Sequence, residues 1–114
     1  MRIGIDLIEI ERVAQAAARP HFCARVFTQA ERDYADGRAE TLAGMFAAKE
    51  AAAKALGTGV RGFGLCDIEV THDEFGAPTL RFYNRAAELF GGRKTSVSIT
   101  HDRLSAAAVV LIEE

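Results

Sequence analysis

The sequence predicts an α+β domain in which a mostly antiparallel sheet packs on a long helix. Three observations carry this reading. Residues 2–6 alternate like a strand, and two further pairs of alternating segments follow late in the chain, each pair joined by a turn. A helical apolar period runs through about residues 39–56, the longest such signal. Between the first strand and this helix lie only short helical stretches, so strands and helices do not alternate as in a parallel α/β fold.

The elements follow in order. In RIGID, Ile3 and Ile5 alternate with their neighbours. From Leu7 the period changes, and Leu7, Ile10, Val13, Ala14 and Ala17 form a helical stripe ended near Pro20. Asp6 closes the strand and stands where it would cap this helix, with Glu9 at the capping-box position. Residues 21–37 predict one or two short helices, with Thr28 as an N-cap and Glu31 three residues on. The long helix stops at Gly57 and Gly59. Cys66, Ile68 and Val70 then alternate with Asp67, Glu69 and Thr71, as in a strand with one dry face. His72 to Pro78 is a turn, and Leu80 and Phe82 continue a hairpin. Asn84 is placed to cap a two-turn helix ending at Gly91-Gly92. TSVSIT and SAAAVVLI make two last strands joined by His101-Asp102-Arg103.

Composition bounds what such a domain does. The 114 residues make one domain, 1–114, without repeat or linker. The hydrophobic fraction of 49% includes 21 alanines, so helices pack closely while burying little apolar volume. Two cysteines, Cys23 and Cys66, exclude a disulfide scaffold or a CxxC zinc site. A net charge of −2 argues against bulk binding to nucleic acid or membrane. No apolar run reaches the roughly 18 residues of a membrane span, and MRIGIDLIEIER carries acids too early for a secretory signal. The expectation is a reduced, cytoplasmic protein. Eleven of its 14 basic residues are arginine, and two of its three lysines, Lys49 and Lys54, stand five residues apart.

Projection of the long helix puts Leu42, Met45, Phe46, Ala53 and Leu56 on an apolar side with Lys49 in its midst. A buried ammonium without a partner is expensive, so Lys49 either snorkels outward or meets a carboxylate or phosphate. Ala43, Ala47, Glu50, Lys54 and Gly57 form a second strip. Its small residues let Glu50 and Lys54 approach another backbone or a bulky ligand. Spacing alone favours an ordinary exposed i,i+4 pair. Asp6 and Glu50 are also a pair of carboxylates suited to magnesium, which takes one or two of them and fills its remaining positions with water and phosphate oxygens. Spacing does not decide whether they meet. Gly57-Thr58-Gly59 ends a helix where a P-loop would begin one, so helix termination is its first reading. His101 reads as part of a polar hairpin turn.

GIDLIEIERV at 4–13, FAAKEAAAKALGTG at 46–59 and SITHD at 98–102, with DIEV at 67–70 and GAP at 76–78, together resemble holo-acyl-carrier-protein synthase. The resemblance covers essentially the whole chain. It implies a 4′-phosphopantetheinyl transferase fold and a magnesium-dependent enzyme of fatty-acid biosynthesis. Such an enzyme moves the phosphopantetheine arm of coenzyme A onto a serine of acyl carrier protein and releases adenosine 3′,5′-bisphosphate. By position, Asp6 and Glu50 would hold the metal, and Lys54 would contact the coenzyme A phosphates and the reacting centre. Gly57, Thr58, Gly59 and His101 would hold the nucleotide end, and Arg12 would dock the acidic carrier protein. A homotrimer with sites between neighbouring subunits is also implied, so that the apolar face around Lys49 need not be completed within one chain. The family commonly has arginine where this chain has Met45, so a phosphate contact is lost or comes from elsewhere, Arg38 or Arg61 being the candidates.

The residue types suit attack on a pyrophosphate, where positioning and charge neutralisation supply most of the catalysis. Glu50 or a metal-bound water would take the serine proton. Two other readings use the same scaffold. One is a non-catalytic carrier-protein or nucleotide-binding module, the other a magnesium-dependent pyrophosphatase with water as nucleophile.

Overall fold

The computed structural model describes residues 1–114. Its elements are β1 (Arg2–Glu9), α1 (Ile10–Ala17), α2 (Pro20–Val26), α3 (Gln29–Ala35), α4 (Ala39–Leu56), β2 (Ile68–His72), β3 (Pro78–Phe82), α5 (Asn84–Phe90), β4 (Thr95–His101) and β5 (Ser105–Ile112). The architecture is the expected α+β. β1, β5 and β4 form an antiparallel three-stranded sheet in that order, and β2 and β3 form a separate antiparallel hairpin.

One face of the three-stranded sheet packs on α4. Along β5 the buried residues are Ala106, Ala108, Val110 and Ile112, alternating with half-exposed ones. Their partners on β1 are Ile8, Asp6, Gly4 and Arg2. Alanine on both sides of this layer brings backbones close. A Cβ added at Gly4 would lie 2.0 Å from the Ala51 carbonyl oxygen and 2.6 Å from the Ala55 nitrogen, so β1 crosses α4 where only glycine fits. The alanine-rich composition thus sets the distance at which the strand passes the helix.

Several boundaries differ from expectation. β1 continues three residues past Asp6, because every residue from Arg2 to Glu9 pairs with β5. Those ladder bonds override the helical spacing of Leu7 and Ile10. Consequently Asp6 lies within a strand and does not cap α1, whose N-cap is Glu9 without a side-chain cap bond. Cys66 falls in a one-turn 3-10 helix (Leu65–Asp67), not in the strand. Glu69, expected on the wet face of β2, is buried and accepts hydrogen bonds from Thr28 Oγ1 (2.6 Å) and Tyr83 OH (3.0 Å). Asn84 takes a positive φ of 53° and gives its amide to Asp67 Oδ1 instead of capping α5. Other expectations hold. Thr28 and Glu31 form a full capping box on α3, and α4 ends at Gly57 with φ 89°.

Lys49 is completely buried and is satisfied within the chain. Its Nζ donates to Glu31 Oε1 at 2.7 Å and to the carbonyls of Leu65 and Ile68. Glu31 also accepts from the Thr28 and Val70 amides. No neighbouring subunit is needed to complete this face, contrary to the expectation. The cluster pins α3 and β2 to α4 immediately before Glu50.

Candidate functional site

β1 and α4 bring Asp6, Glu50 and Lys54 together at one seam. Gly4 allows the strand to lie on the helix backbone, and two residues later Asp6 points to the same face. Glu50 and Lys54 lie one turn apart on α4. Lys54 Nζ donates to Asp6 Oδ1 at 2.8 Å and to the Ile5 carbonyl at 3.1 Å. The ordinary i,i+4 Glu50–Lys54 pair is not formed: Lys54 turns to the strand. Of that strip Lys54 reaches the backbone of β1, at the Ile5 carbonyl, while the close approach of strand and helix falls at Ala51 and Ala55 beside it.

Glu50 is half-buried and accepts no side-chain hydrogen bond from a neighbour. Burial pushes its carboxyl above the usual carboxylate range, the Asp6 charge pushes it further up, and Lys54 pulls it partly back. Two carboxylates and an ammonium are therefore concentrated where the acids repel one another. The arrangement suits a polyanionic ligand with a hard cation between it and the carboxylates. Only two acids meet here, and the molecule has no group of three or more His, Cys, Asp or Glu placed to cage a metal. A cation held here would draw its other ligands from water and substrate oxygens.

Gly57, Thr58 and Gly59 follow one turn beyond Lys54 at the end of this seam, whereas His101 and Arg12 lie elsewhere. Gly57 closes α4 in the left-handed conformation, where the Leu56 carbonyl accepts from Arg2 Nη1 at 2.8 Å. Thr58 Oγ1 donates to the Gly59 carbonyl, so helix termination is the role visible in one chain. His101 ends β4, and the turn beyond it is tied by Asp102 Oδ1, which accepts from the Leu104 and Ser105 amides. His101 lines a cleft of about 290 Å³ with Arg38, Thr41, Gly44 and Met45 beside the first half of α4. Between Gly44 and Gly57 lie about 20 Å of helix. Within one subunit, then, the structure does not bring His101 and the Gly57-Thr58-Gly59 turn together.

That cleft also contains groups sequence reasoning missed. The Tyr34 and His72 rings stack at 3.8 Å between centroids, and Arg38 lies over the Tyr34 ring. Arg38 is fixed by donating Nε to the Ala35 carbonyl and Nη2 to the Tyr34 carbonyl. Burial lowers the His72 pKa, with Asp73 opposing and Arg38 assisting. Nothing in the sequence joined Tyr34 to His72 across 38 residues.

Arg12 is exposed on α1. It lines a second groove of about 290 Å³ with Arg19, Ile8, Phe22 and Phe46. Phe22 and Phe46 stand 6.1 Å apart. Arg19 joins Arg12 there only because the chain turns between α1 and α2, where Arg19 is the extended N-cap residue of α2.

Known proteins resemble the chain over nearly its whole length. The model of the 4′-phosphopantetheinyl transferase superfamily matches residues 2–108. A holo-[acyl-carrier-protein] synthase of Clostridium botulinum (strain Eklund 17B / Type B) is 44% identical over 117 residues, covering 97% of this chain and 95% of the relative. The crystal structure of Helicobacter pylori holo-[acyl-carrier-protein] synthase in complex with coenzyme A superposes with a TM-score of 0.89 at 30% identity, over 97% of this chain and 99% of that one. The Bacillus anthracis synthase in complex with CoA (3′,5′-ADP) gives 0.82 at 36% identity, over 97% and 94%. By sequence across nearly its whole length, and by fold, the chain belongs to the 4′-phosphopantetheinyl transferase superfamily.

Proposed function

We propose that the chain is a holo-acyl-carrier-protein synthase: it transfers 4′-phosphopantetheine from coenzyme A to a serine of apo acyl carrier protein and releases adenosine 3′,5′-bisphosphate. The observation that carries this reading is the convergence of Asp6, Glu50 and Lys54 on the β1–α4 seam of a chain with this family's fold. Asp6 and Glu50 would hold Mg2+, and their two-carboxylate set with room for water and phosphate fits that ion. Bound there, the ion would act as a Lewis acid on the pyrophosphate.

The chain's own residues then have defined tasks. The carrier serine oxygen forms a bond to the β-phosphorus, and the bond from that phosphorus to the bridging oxygen of the bisphosphate breaks. Lys54 places an ammonium where charge accumulates on the leaving phosphate. Glu50, or a water on the ion it would hold, takes the serine proton. The mutual repulsion of Asp6 and Glu50 is relieved when positive charge enters the seam.

The acidic carrier protein docks in the groove of Arg12 and Arg19, whose apolar floor of Phe22 and Phe46 receives a hydrophobic side chain. At the nucleotide end, Arg38 supplies the phosphate contact missing at Met45. It shares the cleft of His101 and Met45, whereas Arg61 lies beyond the Gly57-Thr58-Gly59 turn and does not line it.

A homotrimer joins the separated parts, with His101 of one subunit serving the seam and the glycine turn of the next. What supports assembly is the outer face of the sheet, where Ile3, Ile5 and Leu7 are 66%, 66% and 70% exposed along the edge strand β1. No helix is long and apolar enough to cross a membrane, and both cysteines are free, in keeping with a cytoplasmic enzyme.

Release of adenosine 3′,5′-bisphosphate, followed by chromatography, tests the reaction. The reading requires release that depends on both Mg2+ and apo carrier. Equal release without carrier would make the protein a pyrophosphatase, and binding of coenzyme A without release would make it a binding module.

A further inference from the structure

A third cleft, of about 360 Å³, lies between α1 and the start of α4, on the side of α1 away from the Arg12 groove. Its walls are Ala14, Ala17, Ala18 and Ala39, with Leu42 behind them. Arg32 of α3 is its only charged side chain. That guanidinium forms no ion pair, unlike Lys49 and Lys54, and no acceptor in the protein takes a hydrogen bond from it. Its Nε is also sealed from water without a partner, which is the single such side-chain atom in the molecule. The sealed Nε does not face the hollow; the terminal nitrogens, which no protein acceptor holds, are the donors left for a ligand that enters it.

We propose that this cleft binds a small amphipathic monocarboxylate, its carboxylate on the Arg32 guanidinium and its short alkyl body against the alanines. The size fits a small molecule, since pockets for such ligands begin at about 300 Å³. One guanidinium balances one negative charge, and its planar terminal nitrogens match a carboxylate. A dianionic phosphate would leave a charge unpaired among alanines. The alanines leave open the volume that larger side chains would have filled, and an alkyl chain recovers that burial.

The occupant would also touch α1 from behind. Ala14 and Ala17 line this cleft, while Arg12 and Ala16 of the same helix line the groove opposite. The inference does not rest on the transferase reading, and its test does not use activity.

The test is titration of the full-length protein with octanoate, followed by amide chemical shifts and calorimetry at neutral pH, with octanamide and inorganic phosphate in parallel. The expected result is saturable octanoate binding with shifts centred on Ala14, Ala17, Ala18 and Ala39. Octanamide and phosphate should bind much more weakly. Arg32→Gln should weaken octanoate by roughly tenfold or more, the usual worth of a hydrogen bond to a charged group. Because Arg32 makes no side-chain hydrogen bond, this variant should keep the wild-type melting temperature and amide spectrum. Absence of saturable octanoate binding would overturn the proposal. So would equal binding of octanamide, equal binding of phosphate, or undiminished binding by a folded Arg32→Gln protein.

Discussion

Glu50 occupies a position that costs the metal-free protein stability. Burial, and then the Asp6 charge, raise its carboxyl above the ordinary range. A folded pKa above the unfolded one favours the fold at low pH and disfavours it as pH rises through the raised value. Without metal, Glu50→Gln is therefore expected to melt higher than wild type at neutral pH and no higher in acid, as calorimetry would register. The same variant should lose on the order of 10²-fold or more in turnover, since it removes charge from the reacting centre. Asp6→Asn should lower the Glu50 pKa part of the way, observable by carboxyl NMR, with burial sustaining the remainder. Lys49 lies next in sequence and has the opposite kind of role. Burial lowers its pKa, and Glu31 pulls it back up. Lys49→Met strands Glu31 in the interior, and urea unfolding should show a loss of about 3–5 kcal/mol. The sequence told the two lysines apart only partly. Lys49 stood out on an apolar face, but Glu31, 18 residues earlier, looked like an ordinary capping-box acid, and it serves both purposes at once.

At the scale of elements, the seam between β1 and α4 determines whether there is a site. Gly4 is the hinge of that arrangement, because any Cβ there would strike the helix backbone. Gly4→Ala should cost about 1–3 kcal/mol or more by overpacking, and it should depress turnover even where the protein stays folded, by moving Asp6 away from α4. Parallel measurement of urea midpoint and turnover checks both effects. The limits of α4 were legible because helical spacing and the terminal glycine agree, as were the hairpin and the Thr28 cap. The end of β1 was not. Leu7, Ile10 and Val13 keep a helical spacing, and only pairing with β5, about a hundred residues away, shows that Leu7 and Ile8 are strand. The same long-range pairing turned Asp6 from an apparent helix cap into a side chain that meets Lys54.

At the scale of the whole molecule, an alanine-thinned core leaves its apolar residues unevenly used. The inner face of the sheet is filled, while Ile3, Ile5 and Leu7 face outward on an edge strand. If the proposed homotrimer shares its site between subunits, Ile5→Asp is expected to yield monomers by analytical ultracentrifugation and to lose activity with assembly, because His101 of one subunit would no longer serve the seam of the next. A monomer with full turnover would remove the shared site from the account. The sequence named candidate residues one by one, whereas the distance between His101 and the glycine turn emerges only with the fold. The central claim is that this seam transfers phosphopantetheine, and it is tested most directly by the intact mass of an apo acyl carrier protein incubated with the enzyme, Mg2+ and coenzyme A. The account predicts a carrier heavier by one phosphopantetheine with the wild type and unchanged with Glu50→Gln; an unmodified carrier with the wild type, across several carriers, would contradict it.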